Sequence, residues 1–77
     1  MRKITIIGAG NVGATIAYTL AVEGVANEIL IIDIKKEKAE GEAMDIRQGA
    51  PFFPGSQVYA GDYCDAVNSD IVIITSG

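Results

Sequence analysis

The sequence predicts an α/β fold built on a truncated, doubly wound parallel sheet, and three observations carry that prediction. Uncharged, largely β-branched runs recur at Ile4-Thr5-Ile6-Ile7, Ile29-Leu30-Ile31-Ile32 and Ile71-Val72-Ile73-Ile74, apolar throughout as strands covered on both faces must be. The stretches that follow the first two runs change to helical spacing. Gly8, Gly10 and Gly13 stand as G-x-G-x-x-G where the first strand runs into the first helix.

Each element has its own reason. After the glycines, Val12, Ile16 and Leu20 recur every four residues beside a stripe of small side chains, Gly13, Ala17 and Ala21, which marks a helix with one closely packing face. It is expected to end near Glu23-Gly24, with Gly24 as its C-terminal cap. A second strand occupies about 28 to 32. A second helix is expected from about 36 to 47, with Ala39, Ala43 and Ile46 buried and Lys36–Glu40 and Lys38–Glu42 paired on the exposed side. Arg47 suits its negative pole, Gly49 can cap it and Pro51 prevents its continuation. Gly41 inside it costs up to ~1 kcal/mol against alanine, so close packing is expected there.

Phe52-Phe53-Pro54-Gly55 reads as a turn with two aromatic anchors, and Gln57-Val58-Tyr59-Ala60 as a short edge strand. Gly61 to Ser69 reads as a polar connection to the fourth strand, Asp70 to Thr75. The order β-α-β-α-β-β, joined by right-handed crossovers, places both helices on one face and gives the strand order 3-2-1-4. The reversal between strands one and four is the switch point where such sheets bind ligands.

The glycine stretch then acquires chemistry. A strand entering a helix leaves the first-turn N–H groups unpaired at the positive end of the helix dipole, a natural seat for phosphate. Gly8 makes the sharp turn, Gly10 lets a pyrophosphate approach the main chain, and Gly13 with Ala17 lets the helix pack against the strand. Counting 20 residues on from Gly13 reaches Asp33 at the end of the second strand. There its carboxylate is placed to accept hydrogen bonds from both hydroxyls of an adenine ribose, the lesser alternative being an aspartate that merely starts a turn.

With 77 residues, 49% of them hydrophobic, the chain makes one small globular unit. A net charge of −4 and a pI near 4.5 argue against nucleic acid or an anionic membrane as partner. No apolar run approaches the ~20 residues of a membrane span, and the N-terminus enters a strand at once, so a cytoplasmic location is expected. The single cysteine, Cys64, cannot form an internal disulfide. With no histidine in the chain to activate it, Cys64 reads as a small, partly buried residue. Asp62, Asp65 and Asp70 read as turn residues, not as a metal site.

The runs GAGNVGATIAYTL, ILIIDIKKEKAEGEAMDIRQGAPFF and YAGDYCDAVNSDIVIITSG resemble, over the whole chain, the N-terminal part of bacterial L-lactate dehydrogenases and the related lactate-like malate dehydrogenases. The EKAEGEAMD stretch with its following G-x-P-F, and GDY-x-D at 61 to 65, look more like the lactate branch. The resemblance implies half of an NAD-binding Rossmann domain spanning 1–77, from an enzyme reducing pyruvate to L-lactate with NADH. It further implies that Gly8, Gly10 and Gly13 form the pyrophosphate turn, Asn11 and Val12 line it and Asp33 holds the adenine ribose. Thr75, Ser76 and Gly77 match a family stretch, usually T-A-G, that runs beneath the cofactor. Tyr63 falls near the family's adenine pocket, with an ordinary packing role as the alternative. Asp45 and Arg47 fall on a helix that reaches a subunit interface in the family, or else form a solvated helix end. The family's catalytic His, its partner Asp and the substrate-binding Arg residues lie beyond Gly77, so the chain alone is expected not to catalyse.

Electrostatics favours NAD over NADP. A 2′-phosphate carries about −1.5 to −2 charges, and an opposing carboxylate at ~4 Å costs about 4 kcal/mol per charge at an effective dielectric of 20. Lys35 and Lys36 would offset part of that if they turned inward. Proteins that bind FAD or S-adenosylmethionine use similar glycine turns, and the wider resemblance excludes them. Bare surface at strand 71–74 and on the sheet face opposite the helices predicts a homodimer or higher homo-oligomer, and a second reading of the chain as a non-catalytic, self-associating module that binds NAD or its ADP half weakly or not at all.

Overall fold

The computed structural model describes residues 2–49 and 56–75. The elements run β1 (Lys3–Ile7), α1 (Asn11–Glu23), β2 (Glu28–Ile32), α2 (Lys36–Gly49), β3 (Gln57–Ala60), a 3-10 helix (Tyr63–Ala66) and β4 (Ile71–Ile74). All strand pairs are parallel and the sheet order is β3-β2-β1-β4, as the connectivity predicts. Pro51, the expected turn Phe52-Phe53-Pro54-Gly55, and the final residues Ser76 and Gly77 lie outside the described residues.

One face of the sheet carries both helices, with α1 against β1 and β2, α2 against β2 and β3, and the helices touching each other. Ile4, Ile6, Ile29, Ile31 and Val58 meet Ala17 and Ala21 of α1 and Ala39, Ala43 and Ile46 of α2 in one core. The small-residue stripe lets α1 lie close to the strands: Gly13, Ala17 and Ala21 are its buried positions, whereas Ile16 and Leu20 only flank the core. Gly24 ends α1 in the left-handed conformation (φ 67°). Its N–H donates to Ala21 O and the Val25 N–H to Leu20 O, which satisfies the last carbonyls in a Schellman arrangement.

The opposite face is only partly bare, contrary to expectation. Strand residues alternate between faces, so Thr5 and its register partner Leu30 point away from the helices, yet both are fully buried. Their cover is the connection from β3 to β4, which must pass over β2 and β1 and does so on the side that right-handedness dictates. Thr5 Oγ1 and Ser69 Oγ are 2.5 Å apart, and Gly61 sits over the Leu30 side chain. Lys3 fastens this connection from below: its Nζ donates to the carbonyls of Asp65 (2.5 Å) and Val67 (3.1 Å) and lies 3.8 Å from Glu28. Glu28 also accepts from the Tyr59 hydroxyl, and burial together with that carboxylate pushes Tyr59 up to about 12. β4 remains open, with Val72 48% and Ile74 75% exposed.

Four further details depart from the sequence reading. The second helix runs to Gly49, which is its last residue and not a left-handed cap. Gly41 is exposed, and a Cβ there would meet nothing within 4 Å, so no close packing explains it. The ion pairs within 4 Å among the described residues are Lys3–Glu28 and Lys36–Asp62, so neither expected pair within α2 is formed. Cys64 is exposed, because the 3-10 helix that carries it buries none of its residues.

Candidate functional site

Two of the three motif glycines are required by the fold itself. Gly8 turns the chain at φ 110°, in the left-handed range, and a Cβ on it would stand 2.5 Å from Thr75 O. Gly13 passes directly under this turn: a Cβ on it would overlap the Gly8 carbonyl oxygen and stand 3.2 Å from Thr75 Oγ1. Thr75 therefore braces the turn. Its hydroxyl donates to Gly8 O (3.2 Å) or Ile7 O (3.3 Å) and its N–H donates to Ile7 O (2.9 Å).

Gly10 is different. Its φ of −74° and ψ of −174° are open to any residue, so the backbone conformation does not ask for glycine. It occupies the N-cap of α1, where Ser, Thr, Asp or Asn would supply a capping oxygen, and it supplies none. The first turn of α1, Asn11-Val12-Gly13, carries no acidic residue, and its first intrahelical bond runs from Ala14 N–H to Gly10 O (2.8 Å). Donors and dipole at this end are left for an anionic guest. Asn11 and Val12 are exposed beside it.

Asp33 follows directly on β2 and is tied to the same turn. Its Oδ2 accepts the Ala9 N–H at 2.7 Å and its Oδ1 the Lys35 N–H at 2.9 Å. Those two bonds, Ala9's foremost, hold its carboxyl below the usual carboxylate range, with smaller help from the Lys38 and Lys35 ammonium groups. The group is thus ionised at neutral pH. A carboxylate has about four lone-pair positions, so two stay open for hydroxyl donors.

A crevice of about 320 Å³ is lined by Lys36, Ala39 and Glu40 of α2, by Ala60 at the end of β3, and by Gly61, Asp62 and Asp65 beyond it. Lys36 Nζ lies 3.1 Å from Asp62 Oδ1 across it, and Asp62 raises the Lys36 pKa through that bond. The Asp62 N–H donates to Asp65 Oδ2 (2.8 Å), which opens the 3-10 helix as a turn.

The structure thus gathers Gly8, Gly10, Gly13, Asp33 and Thr75 around one turn. Tyr63 begins the 3-10 helix, is 62% exposed, and no hydrogen bond joins it to that turn among the described residues. Arg47 is committed within the chain: its Nη1 donates to Val58 O (2.7 Å) and fastens α2 to the edge strand. Sequence reasoning missed Ala9 and Lys35, which act through backbone N–H groups and leave no side-chain signature. It also missed the Lys36–Asp62 pair, which joins residues 26 positions apart.

Comparison with known proteins agrees with this geometry. Residues 2–77 match the lactate/malate dehydrogenase NAD-binding domain. The chain is 60% identical, over all its 77 residues, to the L-lactate dehydrogenase of Thermoanaerobacter sp. (strain X514), of which it covers 25%. It is 52% identical over 77 residues to the L-lactate dehydrogenase of Acetivibrio thermocellus, of which it covers 24%. Among solved structures, the minor L-lactate dehydrogenase from Enterococcus mundtii superposes on 99% of the chain with a TM-score of 0.88 at 42% identity, the match taking in 24% of that protein. The malate dehydrogenase of Cryptosporidium parvum superposes on the whole chain at 0.84 and 36% identity, over 25% of its own length. The chain spans about a quarter of the length of the curated relatives it matches. With an uncapped glycine turn, an aspartate bonded to that turn and a family match across residues 2–77, the chain belongs to the lactate/malate dehydrogenase family, as part of its NAD-binding domain.

Proposed function

We propose that the chain is the cofactor-binding segment of an L-lactate dehydrogenase, an enzyme that reduces pyruvate to L-lactate with NADH. The observation that carries the reading is the Asp33–Ala9 bond, which joins the ribose-binding carboxylate to the pyrophosphate turn as one unit. In this reading the N–H groups of Asn11, Val12 and Gly13 hold the pyrophosphate, Gly10 leaves room for it, and the two free lone-pair positions of Asp33 accept the adenine ribose hydroxyls. Thr75, Ser76 and Gly77 support the cofactor from beneath, and Tyr63 flanks the adenine. NAD bound there supplies the hydride chemistry, and these residues bind and orient it. Pyruvate is favoured over oxaloacetate by the L-lactate dehydrogenases at 52 to 60% identity.

Calorimetric titration with NADH and with ADP tests the site. Both should bind with similar affinity, Gly10→Val should remove both, and Asp33→Ala should weaken both. A folded chain that binds neither nucleotide refutes the reading. A cytoplasmic location belongs to the same proposal. So does self-association, supported by the apolar exposure of β4 at Ile71, Val72 and Ile74: β4 pairs antiparallel with its copy across a two-fold axis. A folded monomer at micromolar concentration in sedimentation would contradict that part.

A further inference from the structure

Asp33 alone is an incomplete barrier to a phosphorylated ribose, because cations crowd the same corner. Lys36 and Lys38 stand in the first turn of α2 and Lys35 just before it. The N-terminus of a helix is itself electropositive, so an anion arriving at the ribose 2′ position would meet these charges as well as the Asp33 carboxylate. What the lysines do depends on where they point.

Lys36 has a defined direction. Its Nζ reaches across the crevice to Asp62 Oδ1 at 3.1 Å. Lys38 and Lys35 are the ammonium groups that help keep Asp33 ionised. Yet Lys36 adjoins Lys35, whose N–H is bonded to Asp33 Oδ1, and its flexible four-carbon stem would let the ammonium serve either side. The carboxylates lining the crevice, Glu40, Asp62 and Asp65, outnumber its single lysine. Their charge opposes a phosphate there.

We propose that Asp62 is a specificity-determining positioning residue: by holding Lys36 across the crevice, away from Asp33, it keeps the end of β2 hostile to a 2′-phosphate and so favours NAD over NADP. This rests on the NAD reading of the site. The pair is exposed, so its effect is modest and graded.

The test measures dissociation constants of NADH and NADPH, by nucleotide fluorescence, for the full chain as wild type, Asp62→Asn, Lys36→Gln and the double variant. Asparagine keeps the capping capacity of position 62, and the bond to Asp65 uses the Asp62 backbone, so the fold should survive. Asp62→Asn should shift the NADPH-to-NADH affinity ratio a few-fold toward NADPH, the small effect expected of an exposed ion pair. In the Lys36→Gln background the same change should give less than half that gain on a logarithmic scale. An unmoved ratio in Asp62→Asn overturns the proposal, as does an equal gain without Lys36, which would make Asp62 one negative charge among several. Wild type that fails to bind NADH would instead overturn the NAD reading beneath it.

Discussion

Substituting alanine for glycine at two helical positions should move stability in opposite directions. Gly41 and Gly13 both lie inside helices, and alanine is preferred over glycine in a helix interior by up to ~1 kcal/mol. At Gly41 nothing opposes that gain, since the added methyl meets no atom within 4 Å. Gly41→Ala should therefore stabilise by about 0.5 to 1 kcal/mol, a rise in Tm of about 2 to 8 °C for a domain of this size. At Gly13 the methyl overlaps the Gly8 carbonyl oxygen, which is backbone, with Gly8 C at 3.1 Å and Thr75 Oγ1 at 3.2 Å behind it. No rotamer change relieves that contact, so α1 or the turn must shift. Forced packing of this kind costs about 1 to 3 kcal/mol, and the propensity gain offsets at most ~1 of it. Gly13→Ala should thus be net destabilising, and its NADH affinity should fall because the shifted turn is the pyrophosphate seat. Urea denaturation followed by far-UV circular dichroism gives both values. Equal stabilisation by the two substitutions would refute the claim that the helix rests on the Gly8 carbonyl.

Three more expectations follow from bonds already described. Thr5→Val removes a fully buried hydroxyl from Ser69, while Ser69 keeps its bond to Ala66 O (2.6 Å); a loss of about 1 kcal/mol in urea denaturation is expected. Arg47→Ala breaks the fastening of α2 to β3 at Val58 O, so the amides of β3 should exchange faster with deuterium than those of β1. Asp33 titrates below its ordinary 3.8 in the folded chain, so its stabilising effect is complete above that value and lost as pH falls through the folded one. The stability gap between wild type and Asp33→Asn should accordingly narrow below pH 3.8, and a gap that widens on acidification would contradict the bonds to Ala9 and Lys35.

What the sequence shows and what it hides divide along a physical line. The strand runs, the Gly24 cap and the count from Gly13 to Asp33 are local patterns, and each corresponds to a described element or bond. A glycine in a helix signals a packing demand only if a neighbour is present, and periodicity does not report neighbours, so the open surroundings of Gly41 leave no mark in the sequence. The pairing of Lys36 with Asp62 instead of Glu40 is a tertiary choice between partners that the sequence offers equally. The cover over Thr5 and Leu30 is hidden in the sequence because the polar connection from Gly61 to Ser69 looks like any surface loop, although handedness alone fixes the face it crosses. In the site, the spacing already assigns Gly8 to the turn and Gly13 to close packing, and the dihedral angles add the measure: Gly8 sits at positive φ, whereas the backbone at Gly10 does not itself ask for glycine.

The position of β1 at the centre of the sheet has a consequence for biosynthesis. Ile4 pairs with Ile29 on one side and with Ile71 on the other, so the strand made first is completed last, 67 residues later. At a translation rate of 5–20 residues per second, its second edge waits for about 3 to 13 s. During that interval the nascent β-α-β unit presents an apolar strand with unpaired backbone to the ribosome surface, to chaperones and to neighbouring chains. Vulnerability to misassembly is therefore written into the strand order, and a pause just before residue 71 would lengthen it.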